Sequence, residues 1–287
     1  MKWIKALPVA TAALCVPGIG LRALHLLNGF DIGTGLPAVE NPWVFYVSAL
    51  FVCCAVVYAV LAAPLRKHRK TPFEQLLGSR SAGFRAAAVI SGLLMAAGGM
   101  YYLYLTMTGV EEDAAMWARV LEIAYAAVTV LTGGCVIALA KAQGDAMNEH
   151  SAALTLMPLL WSCLHLLVNY RMTCIDPKLS SFAFGLVADV LLVLAFYHLA
   201  RMLYSKPRPA GLAFFSAVAV TVALSDLGGY GLVHLMGVQA LDWSDKMVVR
   251  GCLSGAACVL LLAELAVLCA GGANRPAQPD APAQPVE

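Results

Sequence analysis

The sequence predicts an all-α, polytopic integral membrane protein, a helical bundle of about eight transmembrane helices. Hydrophobic residues make up 61% of the 287 residues, charged residues make up 13%, and the mean hydropathy is +0.77. A soluble domain of this length needs more charged residues to cover its surface. The apolar residues are also grouped in continuous runs of about 20, the length that a helix needs to cross the hydrocarbon. A transmembrane β-barrel would instead show alternating segments of about ten residues.

Eight apolar segments predict the membrane-spanning helices. They cover residues 7–27, 43–63, 86–106, 115–140, 152–168, 182–203, 212–236 and 247–270. The start of the chain resembles a secretory signal, but its apolar stretch is long for one, so an uncleaved first helix is the better interpretation. Residues 273–287 are rich in Pro, Ala and Gln and predict a disordered tail, because such a composition cannot bury a core.

The distribution of lysine and arginine predicts the orientation in the membrane. The side that holds the N-terminus carries most of the basic residues, including a cluster at 66–70, whereas the other side carries acidic residues at 111–113, Asp242 and Asp245. By the positive-inside rule, both termini are predicted to be cytoplasmic, in a plasma or inner membrane. The basic cluster suits contact with membrane lipids. No nucleic-acid partner is expected, because no folded basic module accompanies the cluster.

A weak internal similarity divides the chain into two halves. Leu24-His25-Leu26-Leu27 at the end of the first span matches Leu164-His165-Leu166-Leu167 at the end of the fifth. This pattern predicts two four-helix membrane halves, residues 1–140 and 141–272, inserted the same way up. In carriers built from such parallel repeats, the substrate is expected between the halves. Duplication of a stable bundle with no transport role is the alternative interpretation.

Ionisable side chains within the spans are the candidate functional residues, because a charge in hydrocarbon costs at least about 2.5–3.5 kcal/mol. Asp226 and Tyr230 are four residues apart, as are His165 and Asn169, so each pair lies on one helix face. Lipid cannot satisfy such faces, and most of these groups fall in the outer half of the bilayer, which predicts a polar pocket open to the outside. The predicted ligand-binding or proton-coupling residues are Asp226, Asp189, Glu122, Arg22, His25, His165, Asn169 and Tyr230.

Most of these candidates also have a structural interpretation. Arg22 and His25 can extend to the outer headgroups. Arg119 and Glu122, three residues apart, can form an ion pair within one helix. The two buried aspartates can donate or accept hydrogen bonds that hold the bundle together. Arg250 lies so near the end of its span that a solvated position is expected, although Arg22, Arg119 and Arg250 could instead neutralise the buried carboxylates or bind an anionic group.

Helix-breaking and small residues suggest further local features. Pro158 is predicted to kink the fifth span. Glycine pairs in the spans allow close helix contact, and residues 225–229 could alternatively unwind a helix and expose backbone to a ligand. The first outer loop, residues 28–37, combines turn-forming with apolar residues, which suggests a loop folded back over the mouth of the bundle.

No motif in the sequence fixes a chemistry. HExxH, GxSxG and Walker A patterns are all missing. His25 and His165 could be considered as a haem or metal pair, but both lie near the outer surface and no second pair accompanies them. Seven of the nine cysteines fall inside apolar spans, where cysteine behaves as a small hydrophobe. The sequence therefore predicts no cofactor and no metal site.

Three functions remain open from the sequence. The favoured one is a transporter or solute-binding membrane component for a small polar or amphiphilic solute, with Asp226 and Asp189 as recognition or proton-coupling carboxylates. The second is a structural, partner-binding or sensory protein that contacts another membrane protein, although the short loops leave no output domain. The third is an intramembrane enzyme acting on a lipid-type substrate, with Glu122, Asp189 or His165 as acid or base. Enzymatic activity is the less favoured alternative, because no nucleophile or metal constellation is evident.

Overall fold

A computed structural model describes residues 2–31, 36–38, 41–69, 71, 73–109, 116–143, 153–174, 179–204, 207–237 and 244–273. Their regular structure is helical apart from one isolated bridge between Phe30 and Pro37. The α-helices of these residues are α1 (Ala6–Asn28), α2 (Trp43–Ala62), α3 (Phe73–Leu77), α4 (Ala82–Thr108), α5 (Met116–Ala142), α6 (Leu156–Thr173), α7 (Leu179–Tyr204), α8 (Pro209–Leu235) and α9 (Asp245–Ala273). The predicted all-α fold is confirmed.

Seven of these helices are long and apolar enough to cross a membrane. They are α1, α2, α4, α5, α7, α8 and α9. At about 1.5 Å per residue, helices of 20 to 29 residues reach across the hydrocarbon, with some excess that tilt absorbs. The chain is therefore a multi-pass membrane protein, as the sequence predicts.

Helix α6 corresponds to the remaining predicted span and is less apolar than the others. It begins at Leu156, so Pro158 lies in its first turn, where a proline has no interior helical hydrogen bond to remove. The physical reason for the predicted kink therefore disappears. The helix still runs along α5: the Thr132 hydroxyl donates to the Met157 carbonyl (3.3 Å) near one end, and Arg171 reaches Glu122 near the other. The bundle thus has eight long helices.

Helix α8 lies at the centre and packs against α1, α2, α7 and α9. Small side chains make this position possible, because Ala213, Ala217 and Ala219 leave room for a neighbour on more than one side of the helix. Leu227 of α8 fits into a notch on α9: a Cβ atom on Gly251 would lie 2.9 Å from one of its methyl carbons, and one on Gly255 would lie 3.3 Å from the other.

The long helices alternate in direction, so each end of the bundle collects ends from all eight. Arg22 near the end of α1 meets Asp226 near the end of α8, and Glu122 near the start of α5 meets Lys246 near the start of α9. We call this the pocket end; the sequence predicts that it faces outwards. The orientation and the four-plus-four repeat stay predictions. The acidic residues 111–113 and Asp242, and the predicted tail from residue 274 onwards, lie outside the described residues.

Two local expectations near the pocket end are resolved. Helix α8 continues without interruption through residues 225–229, so the predicted unwinding there is wrong. Its Gly228 and Gly229 instead allow close contact with Ile19 and Arg22 of α1. The loop after α1 turns back over the bundle, since Phe30 packs on His25 with ring centroids 5.1 Å apart; residues 32–35 of this loop lie outside the described part.

Candidate functional site

A cavity of about 110 Å³ lies between α6, α7, α8 and α9 towards the pocket end. Leucine and valine side chains, among them Leu186, Leu227 and Val248, form part of its wall. Its polar lining residues are Asn169 and Thr173 from α6, Asp189 from α7, Asp226 and Tyr230 from α8, and Arg250 and Ser254 from α9. Four of the eight predicted site residues therefore share one cavity, where acidic, basic and hydroxyl groups face a mostly apolar space.

Arg22 and Asp226 form an ion pair behind one wall of the cavity. The Nε atom of Arg22 lies 2.8 Å from Oδ1 of Asp226, and its side chain is 0% exposed. The same guanidinium donates through Nη1 to Nδ1 of His25 (2.5 Å) and reaches the hydroxyl of Tyr230 (3.5 Å). Because Arg22 and His25 are both fully buried, the suggestion that they extend to the headgroups is wrong. They hold Asp226 in place.

Aromatic rings and glycines make room for this buried arginine. Its guanidinium carbon lies 4.9 Å from the ring centroid of Phe184 and 5.3 Å from that of Tyr230, within the range of cation–π attraction. A Cβ atom on Gly229 would lie 2.6 Å from Cγ of Arg22, so a larger residue there would displace the arginine. Likewise, a Cβ atom on Gly185 would lie 2.9 Å from Oδ2 of Asp226. The Oδ2 atom of Asp226 therefore lies close to the backbone of α7 at Gly185.

His165 connects four helices on the opposite side of the cavity. Its Nδ1 atom lies 2.7 Å from the hydroxyl of Tyr125, and its Nε2 atom lies 2.8 Å from the hydroxyl of Ser254. Asn169 lies 3.1 Å from the same Nε2 atom and donates to Oδ2 of Asp189 at 2.6 Å. The other carboxylate oxygen of Asp189 lies 3.4 Å from Nε2 of His165. Asp189 is thus oriented by hydrogen bonds, whereas Asp226 is oriented by an ion pair.

Arg250 lines the cavity, although the sequence predicts a solvated position for it. Its side chain is 5% exposed, and neither its Nε nor its Nη1 atom has a hydrogen-bond partner among the described residues. The expected solvated position is therefore wrong. A signal for it does exist in the sequence, because Ser254 follows one turn later on the same face of α9 and also lines the cavity.

Four predicted site residues lie outside the cavity lining, and among them Glu122 contacts no lining residue in the hydrogen bonds and ion pairs described. It receives a hydrogen bond from Nζ of Lys246 at 2.8 Å and lies 3.4 Å from Nη1 of Arg171. These contacts join α5 to α9 and α6. Arg119, suggested as its partner within α5, is exposed instead. The position of Glu122 supports a structural tie at the pocket end rather than contact with a ligand.

The location of the cavity differs from the expectation for a repeated carrier. All of its lining residues come from α6 to α9, within the predicted second half, so it does not lie between the two halves. The first half contributes Arg22 and His25 of α1, which do not line the cavity: Arg22 pairs with the lining residue Asp226, and His25 contacts Arg22. The difference arises because α1 packs closely on α8 and fills the space that an interface site would need.

The remaining chemistry of the described residues is limited. No group of three or more His, Cys, Asp or Glu side chains among them could hold a metal ion, and all nine cysteines are free. The cavity residues are therefore the basis on which a function can be argued. No family model matches the chain, and neither a curated protein nor a solved structure gives a match.

Proposed function

We propose that the protein is a membrane carrier or solute-binding component that takes a small polar solute into the cavity at the pocket end. The observation that carries this proposal is the meeting of Asp189, Asp226 and Arg250 around one space within the bundle. Ionisable groups are rare at such depth and mark solute or ion pathways when they face a cavity. The apolar wall and a few convergent polar groups are also typical of small-molecule sites.

The arrangement favours a ligand over purely structural contacts. Where polar groups only hold helices together, they pair with one another, as Glu122 does with Lys246 and Arg171. Around the cavity the pairing is incomplete, because Arg250 keeps two nitrogens without partners among the described residues. An unpaired buried donor is unfavourable, and a polar solute would provide the missing acceptor.

A second candidate function, intramembrane hydrolysis of a lipid-type substrate, is favoured by one contact. The hydroxyl of Ser254 lies 2.8 Å from Nε2 of His165, whose other ring nitrogen is held by Tyr125, and Ser254 lines the cavity. A serine, a base and a group that orients the base are the parts of an activated nucleophile. Ser254 would attack a carbonyl while His165 accepts its proton. A fluorophosphonate that labels the wild type but not Ser254→Ala would favour this function.

Ligand binding with matched aspartate variants tests the main proposal. Purified protein is screened by thermal shift against small polar metabolites, and each hit is repeated with Asp189→Asn and Asp226→Asn. We expect the hits to stabilise the wild type and to lose most of their effect in both variants, because each substitution removes a cavity charge. Asp245→Asn is the control, since Asp245 is an exposed aspartate at the start of α9. Hits that stabilise all four proteins equally would contradict the proposal.

A further inference from the structure

Arg250 is a buried cation that lines the cavity with two unsatisfied nitrogens. Its side chain is 5% exposed, and its Nε and Nη1 atoms have no partner within the described part of the chain. The hydroxyl of Tyr102 is also buried without a hydrogen-bond partner by distance and angle among the described residues. Buried donors are almost always satisfied in folded proteins, and an unsatisfied charged donor is the most costly kind. A group that lines a cavity in this state indicates a ligand with a negatively charged acceptor.

Among the described residues of the pocket end, no carboxylate forms an ion pair with Arg250. Asp226 is paired with Arg22, and Glu122 is paired with Lys246 and Arg171. Asp189 lies on α7, on another wall of the cavity, where it accepts a hydrogen bond from Asn169 and lies 3.4 Å from Nε2 of His165. The lining therefore contains one positive group, Arg250, and two negative groups, Asp189 and Asp226. Because Asp226 is paired with Arg22, Arg250 and Asp189 face the same space without an ion pair between them.

We propose that the solute is a small zwitterion, with its carboxylate bound by Arg250 and its ammonium group bound by Asp189. This inference rests on the proposed solute-binding function and names the class of solute. A guanidinium is well suited to a carboxylate because its N–H groups match the two oxygens. Each oxygen of Asp189 can accept a further hydrogen bond beside those it already receives. A zwitterion also leaves the buried cavity without added net charge, whereas a simple anion or cation would not.

The size of the cavity restricts the zwitterion to a short molecule. Its volume of about 110 Å³ is smaller than the roughly 150 Å³ cavity that holds one benzene ring. A backbone of about five to eight non-hydrogen atoms is therefore suitable. Leu186, Leu227 and Val248 provide apolar contacts for a short aliphatic part, and none of them can hydrogen-bond to an additional polar side chain.

Four probes of similar size separate the charge requirements. Alanine carries both charges, propionate only the negative one, isopropylamine only the positive one, and propionamide neither. Their affinities for the purified protein in nanodiscs are measured by titration calorimetry. We expect alanine to bind most tightly. We expect Arg250→Gln and Asp189→Asn each to weaken alanine binding by about tenfold or more, because each removes a charge-assisted contact. Arg119→Gln, which removes an exposed charge at the same end, should change nothing.

The outcomes distinguish this inference from the proposed function. If isopropylamine or propionamide binds as tightly as alanine, the zwitterion is wrong while a solute pocket remains. If propionate binds as tightly as alanine and Asp189→Asn has no effect, only the anion position is supported and the inference is overturned. Absence of binding by alanine and by other short amino acids also overturns it, while metabolite hits lost in the aspartate variants would still support the pocket. Arg250→Lys provides a further check on folding, since it should recover part of the affinity lost in Arg250→Gln.

Discussion

Two buried arginines near the pocket end illustrate how neighbours decide the role of a side chain. Arg22 has a carboxylate, a histidine and two aromatic rings around its guanidinium, and it is used within the protein. Arg250 lies at the edge of a cavity with two nitrogens that lack partners among the described residues. The first stabilises the contact of α1 with α8, and the second is available to a solute.

Glu264 provides a prediction at the scale of a single residue. It is buried in α9 and receives a hydrogen bond from Nε2 of Gln143 at 2.7 Å, while its Oε2 atom has no partner within the described residues. A charge in this place would be costly. We expect Glu264→Gln to keep or raise the midpoint of thermal unfolding, because it has the same shape without a charge. Glu264→Ala should lower stability by about 1–3 kcal/mol, since it leaves a space and an unpaired amide. A large loss in Glu264→Gln would indicate that the negative charge itself is required.

Sequence spacing identified cavity residues where both partners lie on one helix. Asp226 with Tyr230 and His165 with Asn169 follow the helical period, and the structure places all four at or beside the cavity. Contacts between helices carry no such signal. The partners of Glu122 are 49 and 124 residues away, so its role as a tie between three helices could not be predicted from spacing.

At the scale of helices, glycines set the closest approach, and α4 against α5 is the clearest case. A Cβ atom on Gly133 would lie 2.7 Å from the backbone nitrogen of Ala96 and 2.5 Å from the carbonyl oxygen of Gly92. A Cβ atom on the adjacent Gly134 would meet nothing within 4 Å. We expect Gly133→Ala to destabilise the protein by about 1–3 kcal/mol, because backbone atoms cannot move aside as a flexible side chain can. Gly134→Ala should be neutral or slightly stabilising. Thermal unfolding in detergent compares the two, and equal effects would contradict this packing.

Hydropathy predicted all eight long helices, and α6 has a lower mean hydropathy than the others for a physical reason. Helix α6 carries Trp161, His165 and Asn169 towards the bundle interior, so less of it contacts lipid and its mean hydropathy falls. A sliding window averages the hydropathy of all faces of a helix. A span with one strongly polar face therefore has a lower mean hydropathy. The predicted span begins at residue 152, which lies outside the described residues, and helix α6 begins at Leu156.

In the whole molecule, side-chain hydrogen bonds and ion pairs divide the long helices into two groups. Arg22–Asp226 and Tyr58–Thr221 join α1, α2 and α8. The contacts of Glu122, His165, Asn169 and Gln143, together with a bond from Ser91 to Ala256, join α4, α5, α6, α7 and α9. These contacts each lie within one group or the other. The cavity lies at their boundary, with Asp226 on one side and Asp189 on the other.

This division predicts that the two groups move as separate bodies. Spin-label pairs measured by pulsed dipolar spectroscopy check it, with labels at exposed positions in a background lacking accessible native cysteines. We expect a narrow distance distribution between Leu24 on α1 and Leu235 on α8, which lie in the same group. The distribution between Leu235 and Trp117 on α5 should be broader, because apolar packing dominates the contact between the groups. Equal widths for both pairs would indicate one rigid bundle.

The seat of Leu227 between Gly251 and Gly255 has a consequence for the register of α8 along α9. One turn away on the same stripe of α8 lie Ala223 and Gly231, whose side chains are too small to fill the notch. A shift of α8 by one turn, about 5.4 Å, would therefore leave the notch empty and Leu227 without its place. Leu227 therefore fixes the position of α8 along α9. It thereby also fixes the height at which Asp226 meets the cavity.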